Sequence, residues 1–222
     1  MTGQISDTIQ FADLSYTLTG IRVSPTGAKD PAERPERDGG PWEHCDHGLW
    51  EELFDPTPHG LAPVPLITAC WRGYICHYGV TDERLYLDSL EAFVKEIPAA
   101  FLGTCPSSDW NAPQDYEAVW SAYYSREGGF KAAFNGLHCP LGFTGELLAG
   151  RGFINEPYFR NRAFQKAFKF RDVRHFTFSQ GRLTDHRDRS QEAAAVREYL
   201  AQGGELQYPD DYCALAFDPW AT

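Results

Sequence analysis

GYICHYGVTDERLYLDSLEAFVKEI, residues 73–97, is the stretch whose division between strand and helix decides the fold. Its first half alternates. Tyr74, Cys76, Tyr78 and Val80 fall on one face of an extended chain, and Ile75 and His77 fall on the other, because successive strand residues point to opposite sides. Thr81–Arg84 supplies a turn, and Leu85 and Leu87 return on a second strand. A β-hairpin is therefore expected from about Cys70 to Leu90. From Asp88 the pattern changes. Asp88 or Ser89 stands as an N-cap before LEAFVKEI, which stops before Pro98, so a helix is expected there.

The flanking sequence extends this reading. Residues 1–24 read as an extended start, with strand-like alternation from Leu14. Residues 25–41, rich in Pro, Gly and charge, read as a flexible loop. Residues 42–54 suit one or two helical turns packing Trp42, Leu49, Trp50 and Phe54, and the prolines of 55–65 impose extended and turn geometry. A helix is expected over residues 115–129, where Tyr116, Val119, Trp120 and Tyr123 share a face before Gly128 and Gly129.

FTGELLAGRGFI reads as a strand with permissive glycines, and PYFRNRAFQKAFKF as a third helix with Pro157 near its start. VRHFTFSQGRLTD forms a second hairpin turning at Gln180–Gly181; SQEAAAVREYLAQGG forms a fourth helix capped by Ser190 and closed by Gly203–Gly204; YCALAF ends as a strand. The expected class is α+β: a mostly antiparallel sheet with about four interspersed helices, in one domain over residues 1–222. The two hairpins echo one another. Arg84–Leu85 and Arg182–Leu183 both follow a short turn, and both precede an expected helix.

Composition sets further bounds. The 222 residues carry a net charge of −11, and 6 Trp, 11 Tyr and 15 Phe supply most of the capacity for burial. The six cysteines are scattered through a chain large enough to need no disulfide framework, which suits a reducing cytoplasm. No run approaches a membrane-spanning length, and the N-terminus lacks the charged and apolar regions of a secretory signal. Charge is unevenly placed. Residues 151–190 hold 10 Lys/Arg against 4 Asp/Glu, a net of +6; the remaining residues hold 10 against 27, a net of −17.

The basic stretch supplies the candidate binding residues: Arg160, Arg162, Lys166, Lys169, Arg171 and Arg174, with Arg72 as a second candidate. On a helix, Phe164 and Phe168 would share an apolar face, leaving the cations outward. Such a face suits a solvated surface, a phosphate or nucleic-acid site, or a protein-docking patch. The acidic remainder would repel phosphates, so a nucleic-acid partner is not expected.

Chemical motifs are few. HCDH at residues 44–47 offers metal-ligand types without the second pair that a zinc site needs. Cys76 and His77 are neighbours on a strand and so point apart, which excludes them as a nucleophile–base pair. No phosphate loop, dinucleotide fingerprint, nucleophile elbow or zincin motif is present. No catalytic residue, metal or cofactor is expected.

ACWRGYICHYGVTDERLYLDSL resembles a group of uncharacterised bacterial β-rich proteins that share Arg72-Gly73-Tyr74, an alternating strand, an acidic turn and Leu85-Tyr86-Leu87. The resemblance covers roughly residues 66–90 and 143–185. It implies a bacterial, mostly β, soluble protein and carries no activity. The reading as a whole is an acidic cytoplasmic interaction module with a protein partner and no membrane. An immunity- or inhibitor-type protein is its concrete form. The alternative is an enzyme or a binder of a phosphorylated small molecule, using Arg72 and the basic segment.

Overall fold

A computed structural model describes residues 5–23, 53–64, 70, 72–107, 130–155 and 165–204. Eight strands form one sheet: β1 Thr8–Phe11, β2 Leu14–Val23, β3 Tyr74–Thr81, β4 Arg84–Val94, β5 Phe130–Pro140, β6 Gly145–Phe153, β7 Phe170–Ser179 and β8 Arg182–Asp188. The pairing order is β3-β1-β2-β6-β7-β8-β4-β5, and β3 also pairs with β4. Seven strands thus close a ring of pairings, with β5 attached outside it on β4. Only the β1–β3 seam is parallel, and its register spans Thr8↔His77, Ile9↔Tyr78 and Gln10↔Gly79.

Three tight hairpins build the ring. Their central residues, Ala12–Asp13, Asp82–Glu83 and Gln180–Gly181, all have positive φ. That geometry matches the right-handed twist of the strands on either side. The β3–β4 and β7–β8 tips also join each other: Leu85 donates to the Gly181 carbonyl at 2.8 Å and Leu183 to the Glu83 carbonyl at 2.7 Å. The echo between residues 84–85 and 182–183 is therefore a meeting point that closes the ring.

Inward-facing side chains fill the centre. Ile9, Leu18, Cys76, Tyr78, Leu85, Leu87, Leu90, Phe134, Leu147, Phe176 and Phe178 belong to one buried cluster. A second cluster covers the outer face of β6 and β7, where Leu148, Phe168, Phe170 and Val173 meet Ala193, Val196 and Leu200 of α1, Ser190–Ala201. A third joins Cys70, Ile75 and Phe93 on the outer face of β3 and β4, with Val64 against it.

This architecture corrects the expected class. Among the described residues there is one α-helix and not about four. The helix expected from Asp88 is the second half of β4. A bulge at Asp88 explains the misreading: His77 pairs with Ser89 but Tyr78 pairs with Leu87. The extra residue shifts the inward row from Leu85 and Leu87 to Leu90, Ala92 and Val94, all buried. Across the bulge the inward spacing is three residues, which imitates a helical face.

The third expected helix does not run through its C-terminal part. Lys166 is extended, Ala167–Lys169 form a 3₁₀ turn, and β7 begins at Phe170. Phe168 and Phe170 are both buried, a spacing of two. Residues 156–164 lie outside the described residues, as do the loop at 25–41, the helix expected at 115–129 and the strand expected at YCALAF. The helix after the second hairpin is present, but Ser190 does not cap it: Arg189 is the N-cap. The Ser190 hydroxyl instead accepts the Val173 N–H at 3.0 Å, tying α1 to β7.

Gly181 is where turn and packing coincide. It has φ of +76°, and a Cβ there would collide with the Leu141 carbonyl. Gly60 has φ of +85° with open space around it. Gly60→Ala is expected to cost about 1 kcal/mol of left-handed strain, whereas Gly181→Ala should cost about 2–4 kcal/mol because the hairpin tip must also move. Equal losses in urea titrations of the two variants would show that the Leu141 contact does not constrain the tip.

Candidate functional site

The residues singled out from sequence do not form one surface. Arg160 and Arg162 lie outside the described residues. Lys169 is 2% exposed, and its Nζ donates to Gln165 Oε1 at 3.0 Å; burial pulls its pKa down. Arg171 is exposed at the start of β7. Arg174 faces the other way, in phase with the inward row of Phe176 and Phe178. The strand sends Arg171 and Arg174 to opposite faces, and Lys169, expected on the outer face of a helix, is buried in the turn before it.

Arg72 is engaged inside the molecule. Its guanidinium makes a two-point contact with the Asp7 carboxylate, at 2.6 and 3.1 Å. It also lies over the Tyr74 ring, 4.9 Å from the centroid. Asp7 Oδ1 accepts the Cys76 N–H at 2.9 Å. Burial opposes the charge on Arg72, but Asp7 outweighs it and the pKa rises. Burial also raises the Tyr78 phenol well above its ordinary value, with Cys76 and Asp7 adding to the effect. These inward groups hold the β1–β3 seam from within.

The outer side of the same seam carries a polar row. Thr8 Oγ1 and His77 Nδ1 are 2.8 Å apart. His77 Nε2 is 3.7 Å from Glu91 Oε1, and Lys131 Nζ is 2.5 Å from Glu91 Oε2. A hydroxyl, an imidazole, a carboxylate and an ammonium thus cross β1, β3, β4 and β5. The neighbouring His77 ring, assisted by Lys131, holds Glu91 down to about 2. Cys76 and His77 are on opposite faces, as their adjacency on a strand requires.

A third cluster takes in Arg174 and marks one end of the ring. Asp172 accepts from Tyr16 Oη at 3.2 Å, Arg151 at 3.3 Å and Arg174 Nε at 2.8 Å. Arg174 also reaches Asp188 at 3.3 Å. Arg151 lies over the Tyr16 ring and is 46% exposed. Phe11 packs against Phe176 and His186. Beside this end, the parallel register of β1 and β3 sends the turns at Ala12–Asp13 and Asp82–Glu83 out in the same direction. Asp13, Asp82 and Leu14 are exposed there.

This end is the candidate site: an aromatic and arginine-lined surface bordered by carboxylates. Sequence reading found Arg174 and missed Tyr16, Arg151, Asp172 and Asp188. A signal was present, since Arg151 follows the inward phase of Leu147 and Ala149, and Asp172 precedes Arg174 in phase with Phe176. An inward row that turns polar marks where a sheet's interior opens to solvent. The HCDH stretch is outside the described residues. His138, a ligand type elsewhere in the chain, stacks on Tyr86 and is 3.3 Å from Asp88. Among the described residues no group of three or more His, Cys, Asp or Glu side chains is placed to hold a metal ion.

Two outcomes follow. Asp7→Ala leaves Arg72 buried and unpaired, and should cost about 3–5 kcal/mol in denaturant titrations. Asp7→Leu combined with Arg72→Met should recover most of that loss but not all, because the Cys76 N–H stays orphaned. A double variant no more stable than Asp7→Ala would show that the charge pair is not what the single change disrupts.

For Glu91, the ordinary value of 4.5 falls to about 2 in the folded chain. Its contribution is then fully present above pH 4.5 and lost as pH falls toward 2. Glu91→Gln should flatten the acid limb of stability over that window by about 2 kcal/mol after allowance for solvent screening. An unchanged acid limb in urea midpoints measured against pH would contradict the assignment.

No protein-family model matches the chain, and no curated protein or solved structure matches it.

Proposed function

We propose that the chain is a protein-interaction module of the immunity or inhibitor type, meeting a basic partner surface with its own carboxylates. The observation that carries this reading is where the charges are used. Arg22, Arg72, Lys131, Arg151, Arg174, Arg182, Arg187 and Arg189 each sit in an ion pair with a carboxylate of the same chain. Asp13, Asp55, Asp82 and Glu96 are exposed and make no ion pair among the described residues. Arg84, Lys95 and Arg171 are likewise exposed with no ion pair among the described residues, so it is the net charge of −11 that leaves an acidic excess for a partner to meet.

Such a field speeds encounter with a basic protein and disfavours phosphate-bearing ligands. Leu14, next to Asp13 and 37% exposed, offers apolar contact at the end of the ring where the two acidic turns emerge. Arg72, the centre of the phosphate-binding alternative, already has its carboxylate in Asp7. No helix among the described residues is long and apolar enough to cross a membrane. Cys70, Cys76, Cys105 and Cys139 are free thiols, which fits action in a reducing cytoplasm.

A basic protein encoded beside this chain is the first partner to test, by association kinetics across a salt series. The on-rate should fall at least roughly tenfold between low and physiological salt. Asp13→Asn with Asp82→Asn should slow it further while leaving the melting temperature nearly unchanged, because Asn tolerates the left-handed conformation of both turn positions. An acidic partner, or an on-rate indifferent to salt and to both substitutions, would remove the basis of the reading.

A further inference from the structure

Among the described residues, β8 is paired along only one edge. β7 accompanies it from Arg182 to Asp188 with a bulge at Thr184, whereas β4 reaches its other edge at the single pair Arg84↔Arg182. The Leu183 N–H to Glu83 carbonyl bond marks the end of that contact. At the far end, Arg189 turns its N–H to the Val173 carbonyl of β7, and α1 begins at Ser190. Between these limits lies an open window, Thr184–Asp188. Thr184, His186, Arg187 and Asp188 are exposed.

The direction of the main chain follows by alternation. The Arg189 N–H faces β7, so the N–H and C=O of Asp188 and of His186 face the open side. A strand edge of this kind is a template for pairing with another chain.

We propose that this edge is where two copies of the chain pair, antiparallel, about a two-fold axis at His186. Window overlap and charge placement select that register, and the backbone phase agrees with it. The five-residue window overlaps a second copy of itself fully only when His186 meets His186. A two-fold axis at His186 makes the central pair a hydrogen-bonded one, because the alternation turns the His186 N–H and C=O to the open side. The register then sets Asp185 opposite Arg187 of the second copy, twice, and Thr184 opposite Asp188. Opposite charges directly across a seam favour pairing.

Arg187 is 72% exposed and already reaches Asp185 of its own chain at 2.7 Å. The Asp185 carboxylate can accept a second donor across the seam. Charge at longer range agrees. Two chains of net −11 repel over most of their surface, but the segment from 151 to 190 carries +6. β8 lies within it, so two copies can meet there without bringing their acidic excess face to face. The seam shares His186 and Asp188 with the end of the ring described above, but Asp13 and Asp82, whose variants test the partner-docking reading, lie outside it.

The test is sedimentation equilibrium of the full chain over roughly 10 μM to 1 mM, the range in which a short edge-to-edge contact should associate. Wild type is expected to show a reversible monomer–dimer equilibrium. His186→Pro removes an outward N–H without touching the β7 ladder, and should abolish the dimer while circular dichroism shows the sheet retained. Arg187→Asp and Asp185→Arg each place like charges across the seam, and each alone should weaken association by roughly tenfold. An equimolar mixture of these two variants restores opposite charges and should give a heterodimer. A wild type that stays monomeric throughout overturns the proposal. So does a dimer indifferent to His186→Pro, or a mixture that associates no better than either variant alone.

Discussion

The Asp7 carboxylate holds the seam on which the ring depends. β1 and β3 share only three register pairs and are the one parallel pair in the sheet. Parallel pairing is slightly weaker per residue than antiparallel. Asp7 compensates by continuing the seam with a side chain: it takes the Cys76 N–H and the Arg72 guanidinium together. A buried charge is tolerable here because both oxygens are occupied and the counter-charge is within hydrogen-bond reach. On the opposite face Thr8 and His77 span the same strands, and Glu91 and Lys131 continue the row to β5. The closure is thus held by polar contacts on both sides of a thin backbone seam.

The clustering of basic residues in an acidic chain has a local answer. On β6, β7 and β8 the cations stand next to carboxylates from neighbouring positions: Arg151 and Arg174 around Asp172, Arg187 beside Asp185, and Arg189 against Glu192. Arg197 donates to the carbonyls of Phe168 and Phe170, fixing the 3₁₀ turn beneath α1. Much of the basic character of the stretch is consumed in building this side of the molecule. What remains available for long-range electrostatics is the acidic excess elsewhere.

Irregularities in the sheet position the groups that matter. The bulge at Asp88 turns its carboxylate toward His138, whose ring stacks on Tyr86. On β5 the register slips between Asn135 and Cys139, where Gly136 and His138 have positive φ. Such bulges bend strands and re-aim side chains. They also allow β4 to serve three neighbours, pairing with β3, β5 and the tip of β8.

The sequence by itself determined the elements whose signals are local. The hairpins at residues 74–87 and 176–183 follow from alternation and from turns rich in Asp, Glu, Gln and Gly, and α1 follows from helix formers running to Gly203. The opposed faces of Cys76 and His77 needed only the strand geometry of adjacent residues. Tertiary structure decided the rest. Leu90 read as the start of a helix after the strand of Leu85 and Leu87, until the bulge at Asp88 in the pairing with β3 continued that strand and turned Leu90 inward with them. Lys169 looked like a surface cation until the turn at Ala167–Lys169 buried it under α1. Arg72 looked available until a carboxylate 65 residues earlier in the chain met it. Pattern within a few residues reports which way a side chain points. Which distant group stands there to meet it is set by the closing of the ring, and no local pattern encodes that.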